Sequence, residues 1–502
     1  MELEFENRQT GGLRAVFDRV VAQEETGEAI VPDQYPDARS TAGCFGTVVL
    51  RSKECRDGSV LLSGGVYAYA LCVPEDGSQT RAVSAYLPFT QRVDAPEATS
   101  ASRVIYTPRL RALDARLVNS RKVLIRADVS ARVEVYEPDC TEVYEPPEDL
   151  PACVQLRRVT LPVTRTEQMA EKAFELGEEL ELPGGVPACA ALLKWDCGLS
   201  LAESRTIGAR VVFKGAANVR LLCSAPDGAL FRYEFSLPFS QYADLDRESG
   251  EEAPRVELLL TGAQLVPDGQ EPARRFLLTL NLLAQCVTQT REELSLVDDA
   301  YTTRGELTVQ TAELTTSGQL DCEHFHQAVR VSIPGACREV LDVTVLLGWP
   351  ETAHEDEAVS VRVPATVRVL CLDETGAPVC RTAPAEAVCG SVLAPGCEAD
   401  AAAALTGDAF AVPGGEGCEA RFGVDITLTS RAQTVCSMVT GAELTERENE
   451  PERPSVIVRP AHCAETLWSV AKACRAELDA VRAANDVGDE IAPGTLLLIP
   501  RA

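Results

Sequence analysis

Histidine, methionine and tryptophan are scarce in this 502-residue chain, with four, three and three copies. Few histidines leave few metal ligands and few bases that work near neutral pH. No C-x-x-C pair occurs, which excludes a zinc ribbon and a thioredoxin-like redox pair. No G-x-x-x-x-G-K-[ST] phosphate loop, no G-x-G-x-x-G after a strand, no H-E-x-x-H and no G-x-S-x-G elbow is present. No catalytic residue, metal site or cofactor is therefore expected. No apolar run approaches the roughly 18 residues a membrane helix needs, so no transmembrane segment is expected. Met1-Glu2-Leu3-Glu4-Phe5-Glu6 lacks a basic and then apolar leader, so no export signal is expected and the reading is cytoplasmic. Basic residues are in deficit, 47 against 76 acidic, for a net charge of −29. That surface repels phosphate backbones and anionic lipid, so nucleic acid and peripheral membrane binding are not expected.

Cysteine, by contrast, is plentiful. The 19 copies are odd in number and scattered singly. They read as reduced, half-buried small hydrophobes, with later oxidative cross-linking as the alternative.

The hydrophobic fraction of 45% supports real cores, and the length suggests about three or four domains of roughly 150 residues. A long repeat is visible. Val60 to Gly64 leads to Leu71-Cys72 and Asp76-Gly77, then to Leu87-Pro88-Phe89. Val211 to Gly215 leads to Leu222-Cys223 and Asp227-Gly228, then to Leu237-Pro238-Phe239. A weaker third copy runs from Val359 to Leu370-Cys371 and Gly376, without the early glycine or Pro-Phe. Alternation at Val66, Ala68, Ala70 and Cys72, resuming at Ala82, Ser84 and Tyr86, is the period of a half-buried strand, and Asp-Gly favours a hairpin turn. Residues 122–129 and 276–282 alternate in the same way. The expected fold is mainly β: three tandem antiparallel sandwich- or barrel-like domains, then a small βααβ domain.

The expected boundaries are an N-terminal arm at 1–23, repeat domains at 24–150, 151–311 and 312–444, a charged linker at 445–454 and the last domain at 455–502. Leu13, Val16, Phe17, Val20 and Val21 predict a short amphipathic helix in the arm. Two Glu-Val-Tyr-Glu-Pro copies, 134–138 and 142–146, suggest strand ends around a turn. Alanine, proline and glycine crowd 383–417, which suggests a long loop with a helical turn at 399–405. Cys322-Glu323-His324-Phe325-His326 is the one cluster with metal-ligand chemistry, and is better read as a polar strand face.

The sharpest motif lies at the end. Val456 to Val458 reads as a strand. Leu467, Val470, Ala471 and Cys474 share a helix face that Thr466 can cap. Leu478, Val481 and Ala484 continue into a second helix, with Asn485 as a left-handed cap. Pro493-Gly494 turns into a closing strand, Thr495 to Ile499. Leu467, Val470, Val481, Ile491, Leu496 and Leu498 are the expected core.

This stretch resembles the LysM domain. Glu465-Thr466-Leu467-Trp468-Ser469-Val470-Ala471 is similar to that family's G-D-T-L-W-x-I-A, Ala483-Ala484-Asn485 to its A-x-N, and Ile491 to Leu496 to its I-x-P-G-x-x-L. The resemblance implies binding of N-acetylglucosamine polymers or a protein partner in a groove lined by Glu465, Thr466, Leu467, Asn485, Ile491 and Pro493. Trp468 is either a stacking plate or part of the packing. Ala464-Glu465 replaces the usual Gly-Asp, and Ala461-His462-Cys463 adds residues to that loop. Alanine there restricts close approach of a sugar.

Upstream, Ala29-Ile30-Val31-Pro32-Asp33-Gln34-Tyr35-Pro36-Asp37 and Leu180 to Pro187 resemble the repeat openings of SipL-type spore coat morphogenetic proteins, whose repeats precede one LysM domain. That resemblance implies a non-enzymatic assembly adaptor in the mother-cell cytoplasm, at the forespore surface. Its partners would be the coat-base ATPase (stage IV sporulation protein A) and other spore coat proteins. A peptidoglycan-binding protein of the wall or spore cortex is the alternative.

Overall fold

The computed structural model describes the chain apart from residues 251, 270–271, 356, 446–453, 462–463 and 502. It is mainly β, in multiple antiparallel sheets, and two short helices near the C-terminus are the only ones among the described residues. The expected charged linker falls almost wholly outside the described residues.

After β1 (Glu2–Glu4), the first set of strands is β2 (Glu6–Ile30), β3 (Ala38–Arg56), β4 (Ser59–Pro74), β5 (Arg81–Asp94), β6 (Arg103–Asn119) and β7 (Lys122–Glu145). The second is β8 (Val154–Glu181), β9 (Ala191–Thr206), β10 (Arg210–Ser224), β11 (Leu230–Asp244), β12 (Arg255–Asp268) and β13 (Arg275–Thr302). The third is β14 (Glu306–Pro334), β15 (Glu339–Leu347), β16 (Glu351–Glu355), β17 (Ala358–Leu372), β18 (Pro378–Val392), β19 (Cys397–Gly414) and β20 (Gly417–Thr445). The strand order recurs three times. Each set has a meander (β3-β4-β5, β9-β10-β11, and β15 and β16 beside β17-β18). In each, the first strand pairs with the last, which also pairs with the one before it (β2-β7-β6, β8-β13-β12, β14-β20-β19). Both sheets of a set close over an apolar core.

The repeated residues explain this order. In the Leu-Cys dipeptide, successive side chains point to opposite faces of a strand. Cys72, Cys223 and Cys371 enter the core of their own unit. Leu71, Leu222 and Leu370 instead meet one another, with Phe45, in a single buried cluster drawn from all three units. Burial pushes the Cys72 thiol up to about 11 and, with the neighbouring Cys337, the Cys371 thiol up to about 12, so both act as neutral apolar groups.

The repeated glycine and Pro-Phe are one feature. Gly64 pairs with Phe89 and Gly215 with Phe239 across adjacent strands. A Cβ at Gly64 would stand 2.4 Å from the Val49 carbonyl and 2.7 Å from the Phe89 ring. At Gly215 the distances are 2.2 Å to the Ser200 carbonyl and 2.6 Å to the Phe239 ring. In the third unit Val363 and Ala387 hold these places. There the neighbouring strand is interrupted between β15 and β16, and neither pairs with Val363. The turns recur too: Asp76, Asp227 and Asp373 each accept a hydrogen bond from the backbone N–H two residues on, at 2.8–3.0 Å.

The unit openings also match. Tyr35 N–H bonds the Pro32 carbonyl and Val186 N–H the Pro183 carbonyl, both at 2.9 Å. Arg121 and Arg274 each clamp the carbonyls of that turn. Ile333-Pro334, unnoticed in the sequence, holds the corresponding place at the end of β14.

Several expectations change. Residues 1–23 form β1 and most of β2, not a helical arm. Val16, Val20 and Val21 are β-branched, and β7 supplies a partner along nearly the whole of β2. Both Glu-Val-Tyr-Glu copies lie within β7, not around a turn. Most of 383–417 lies in β18 and β19 instead of a loop; Ala401 and Ala403 are buried while Ala402 and Ala404 face out, so pairing with β20 overrides alanine's helix preference. The second unit ends at 302, not 311, because β14 begins at Glu306. His324 and His326 turn to Thr427 at 3.1 Å and Asp425 at 2.8 Å on β20.

The units are tied by buried polar contacts. Lys194 of β9 pairs with Asp342 of β15 at 2.5 Å, both side chains only 3% exposed. Arg255 of β12 grips both oxygens of Glu134 on β7, at 3.0 and 2.8 Å.

Candidate functional site

The described residues from Ser455 to Arg501 form a small module on the end of the second unit. β21 (Val456–Pro460) pairs antiparallel with β24 (Leu496–Pro500), and β22 (Glu465–Thr466) with β23 (Glu490–Ile491). Between them lie α1 (Leu467–Cys474) and α2 (Leu478–Ala484). Thr466 caps α1 as the sequence suggests: its Oγ1 accepts from Ser469 N–H at 3.1 Å, and Ser469 Oγ accepts from Thr466 N–H at 3.1 Å. The left-handed residue is Arg475, at the end of α1, with φ of 50°. Asn485 is extended, with φ of −133°, contrary to expectation. Its side chain has other work. It donates to the Val481 and Leu498 carbonyls at 2.7 and 2.6 Å and accepts from Leu498 N–H at 2.8 Å, clamping α2 to β24.

The seven candidate residues do not converge on one open groove. Leu467, Trp468 and Ile491 are buried in the module core. Glu465 is half-buried and held by Arg459 at 2.9 Å. Asn485 is half-buried in its clamp. Thr466 and Pro493 are exposed.

Trp468 faces the second unit. Its indole N–H donates to Asp299 at 2.8 Å, its ring meets Tyr301 edge-on at 4.8 Å, and the Arg157 guanidinium lies 5.8 Å from its centre. Lys472 binds both Asp299 oxygens at 2.6 and 2.7 Å. Burial opposes ionisation of Asp299, but the hydrogen bonds from Lys472 and Trp468 outweigh it and hold the carboxyl below its ordinary range. Tyr301 donates to the Ala476 carbonyl at 2.8 Å, and Arg475 to the Gly305 carbonyl at 3.0 Å. Trp468 thus belongs to the packing, and the module is docked. Compared with protein-family models, curated proteins and solved structures, the chain matches none of them.

Sequence reasoning missed the free face. Leu497 and Ile499 point inward, so Leu496 and Leu498, expected in the core, point out. Together with Val456 and Val458 they are 49% (Val456), 58% (Val458), 68% (Leu496) and 42% (Leu498) exposed, and Val458 pairs directly with Leu498. The signal was there: a Leu-Leu-Leu-Ile run makes both faces of a strand apolar, whereas a ribbon with one wet face alternates.

Proposed function

We propose that the chain is a non-enzymatic assembly adaptor of the SipL type. Its LysM-like C-terminal module docks onto the coat-base ATPase, stage IV sporulation protein A, and its β units scaffold other spore coat proteins on the forespore. The observation that carries this reading is the outward face of the β21–β24 ribbon, with Val456, Val458, Leu496 and Leu498 side by side. Contiguous exposed apolar surface of this kind marks a protein contact. The opposite side of the module is occupied by Asp299 and Tyr301, which leaves the ribbon for a partner. The recurring strand order and the shared Leu71–Leu222–Leu370 cluster support a rigid scaffold behind it.

Binding of N-acetylglucosamine polymers is the second reading. It is favoured by the exposure of Thr466 and Pro493 beside the β22–β23 pair, where the resemblance puts a sugar groove. It is weakened by Trp468, whose ring is turned inward and cannot stack on a sugar.

Co-sedimentation of the purified full chain separates the two. The adaptor reading predicts capture by the purified ATPase and none by peptidoglycan sacculi. Capture by sacculi alone would overturn it.

A further inference from the structure

A cavity of about 490 Å³ lies where the three units meet. β2 and β7 of the first unit, β8, β12 and β13 of the second, and β14, β19 and β20 of the third all contribute to its wall. Five arginines face it. Four are committed to carboxylates: Arg14 to Glu97 at 3.4 Å, Arg132 to Asp18 and Asp400 at 2.6 and 3.2 Å, Arg255 to Glu134 at 2.8 Å, and Arg165 to Glu292. The Arg431 side chain has no ion pair or hydrogen bond among the described residues, and its Nε is buried without a partner. Two more buried donors among the lining residues are without a partner. They are the Nε of Arg165 and the hydroxyl of Thr316, a residue only 7% exposed.

Buried polar atoms in a folded protein are almost always hydrogen-bonded, and an uncompensated buried donor is costly. Three orphaned donors lining one cavity, two of them on guanidinium groups, offer an oxyanion its partners. We propose that this cavity binds a small organic anion, held through a carboxylate or phosphate by Arg431, Arg165 and Thr316. The room exceeds what the anionic group alone fills. Asp139, the lining carboxylate that carries no ion pair among the described residues, is available to accept a hydrogen bond from a hydroxyl or amine on the same ligand. The ligand would contact all three units at once, so its binding would favour their closed arrangement.

The test is calorimetric titration of the full chain with inorganic phosphate and, separately, malonate, at constant ionic strength so that screening is equal. One saturable site is expected for at least one probe, and which probe binds assigns phosphate or carboxylate chemistry. Arg431→Gln should weaken binding about tenfold or more, as loss of a charged hydrogen-bond partner does. Thr316→Val, nearly isosteric, should weaken it measurably with an unchanged circular dichroism spectrum. Arg362→Gln, on an exposed pair with Glu386, should leave it unchanged. No saturable binding of either probe would mean that water alone fills the cavity, and would overturn the proposal. Binding that Arg431→Gln and Thr316→Val leave intact would overturn it equally.

Discussion

The indole N–H of Trp468 donates a 2.8 Å hydrogen bond to Oδ2 of Asp299, across 169 residues of sequence. The most motif-like aromatic in the chain is thus spent on holding the C-terminal module to the second β unit. A module this small has a marginal core of its own, so the docking contact is part of its stability. Trp468→Ala removes the ring from between Tyr301 and the module core. It should cost about 3–5 kcal/mol, the usual loss for a buried tryptophan. Hydrogen exchange should then quicken along Leu467–Cys474 while the centres of Ser59–Pro74 and Arg210–Ser224 stay protected. Unchanged protection in the helix would remove Trp468 from the packing account.

The same contact has a pH dependence with a definite sign. Asp299 titrates below its ordinary range in the folded chain, so its contribution is full above the unfolded carboxylate value, near 3.8, and is lost as pH falls through the lower folded value. Wild type and Asp299→Asn should therefore differ in module protection at pH 6. The difference should persist down to about pH 4, the unfolded carboxylate value, and shrink only below it. A difference that grew on acidification would contradict the assignment.

Gly64 exists to admit Phe89 and the Val49 carbonyl. Gly64→Ala should destabilise the first unit by about 1–3 kcal/mol, the range for overpacking a close-packed core. Gly198→Ala, with nothing within 4 Å of the added carbon, should stay within about 0.5 kcal/mol of wild type. Urea unfolding of the two variants side by side makes the comparison.

Lys194 and Asp342 join the second unit to the third through a buried ion pair. Lys194→Met leaves Asp342 only the longer ion pair with Arg232, at 3.5 Å, and should cost about 3–5 kcal/mol. The double variant Lys194→Met/Asp342→Leu should recover much of that loss, since replacing both charges removes the desolvation cost with the attraction. Equal melting temperatures for single and double variants would show that the pair is not coupled.

The β class, the hairpin turns and the domain-length period were legible because they rest on local grammar: alternation at Val66 to Cys72, Asp-Gly turns and the repeated Leu-Cys. The reason for the repeat was not legible. Leu71 and Cys72 look like two core residues, and only the packing of three units separates a shared centre from a private one. The same limit misassigned the N-terminal residues and 399–405. Helical spacing at Leu13 to Val21 and an alanine run at 399–405 are local signals, overruled by long partners at β7 and β20. In the C-terminal module, Thr466 was readable as a cap because capping is local. Trp468 was ambiguous because its partner, Asp299, lies in another unit. Leu496 and Leu498 were misplaced by one residue, since an unbroken apolar run contains no phase.

The proposed docking surface is the outward face of the C-terminal ribbon. Its most direct test is the affinity of the full chain for purified stage IV sporulation protein A, measured for wild type, Leu496→Glu and Val458→Glu. Both positions face solvent, so both variants should fold, with unchanged circular dichroism and intact Trp468 packing. Each should weaken binding about tenfold or more, as burying an unpaired charge at a contact does. Wild-type affinity in both variants would contradict it.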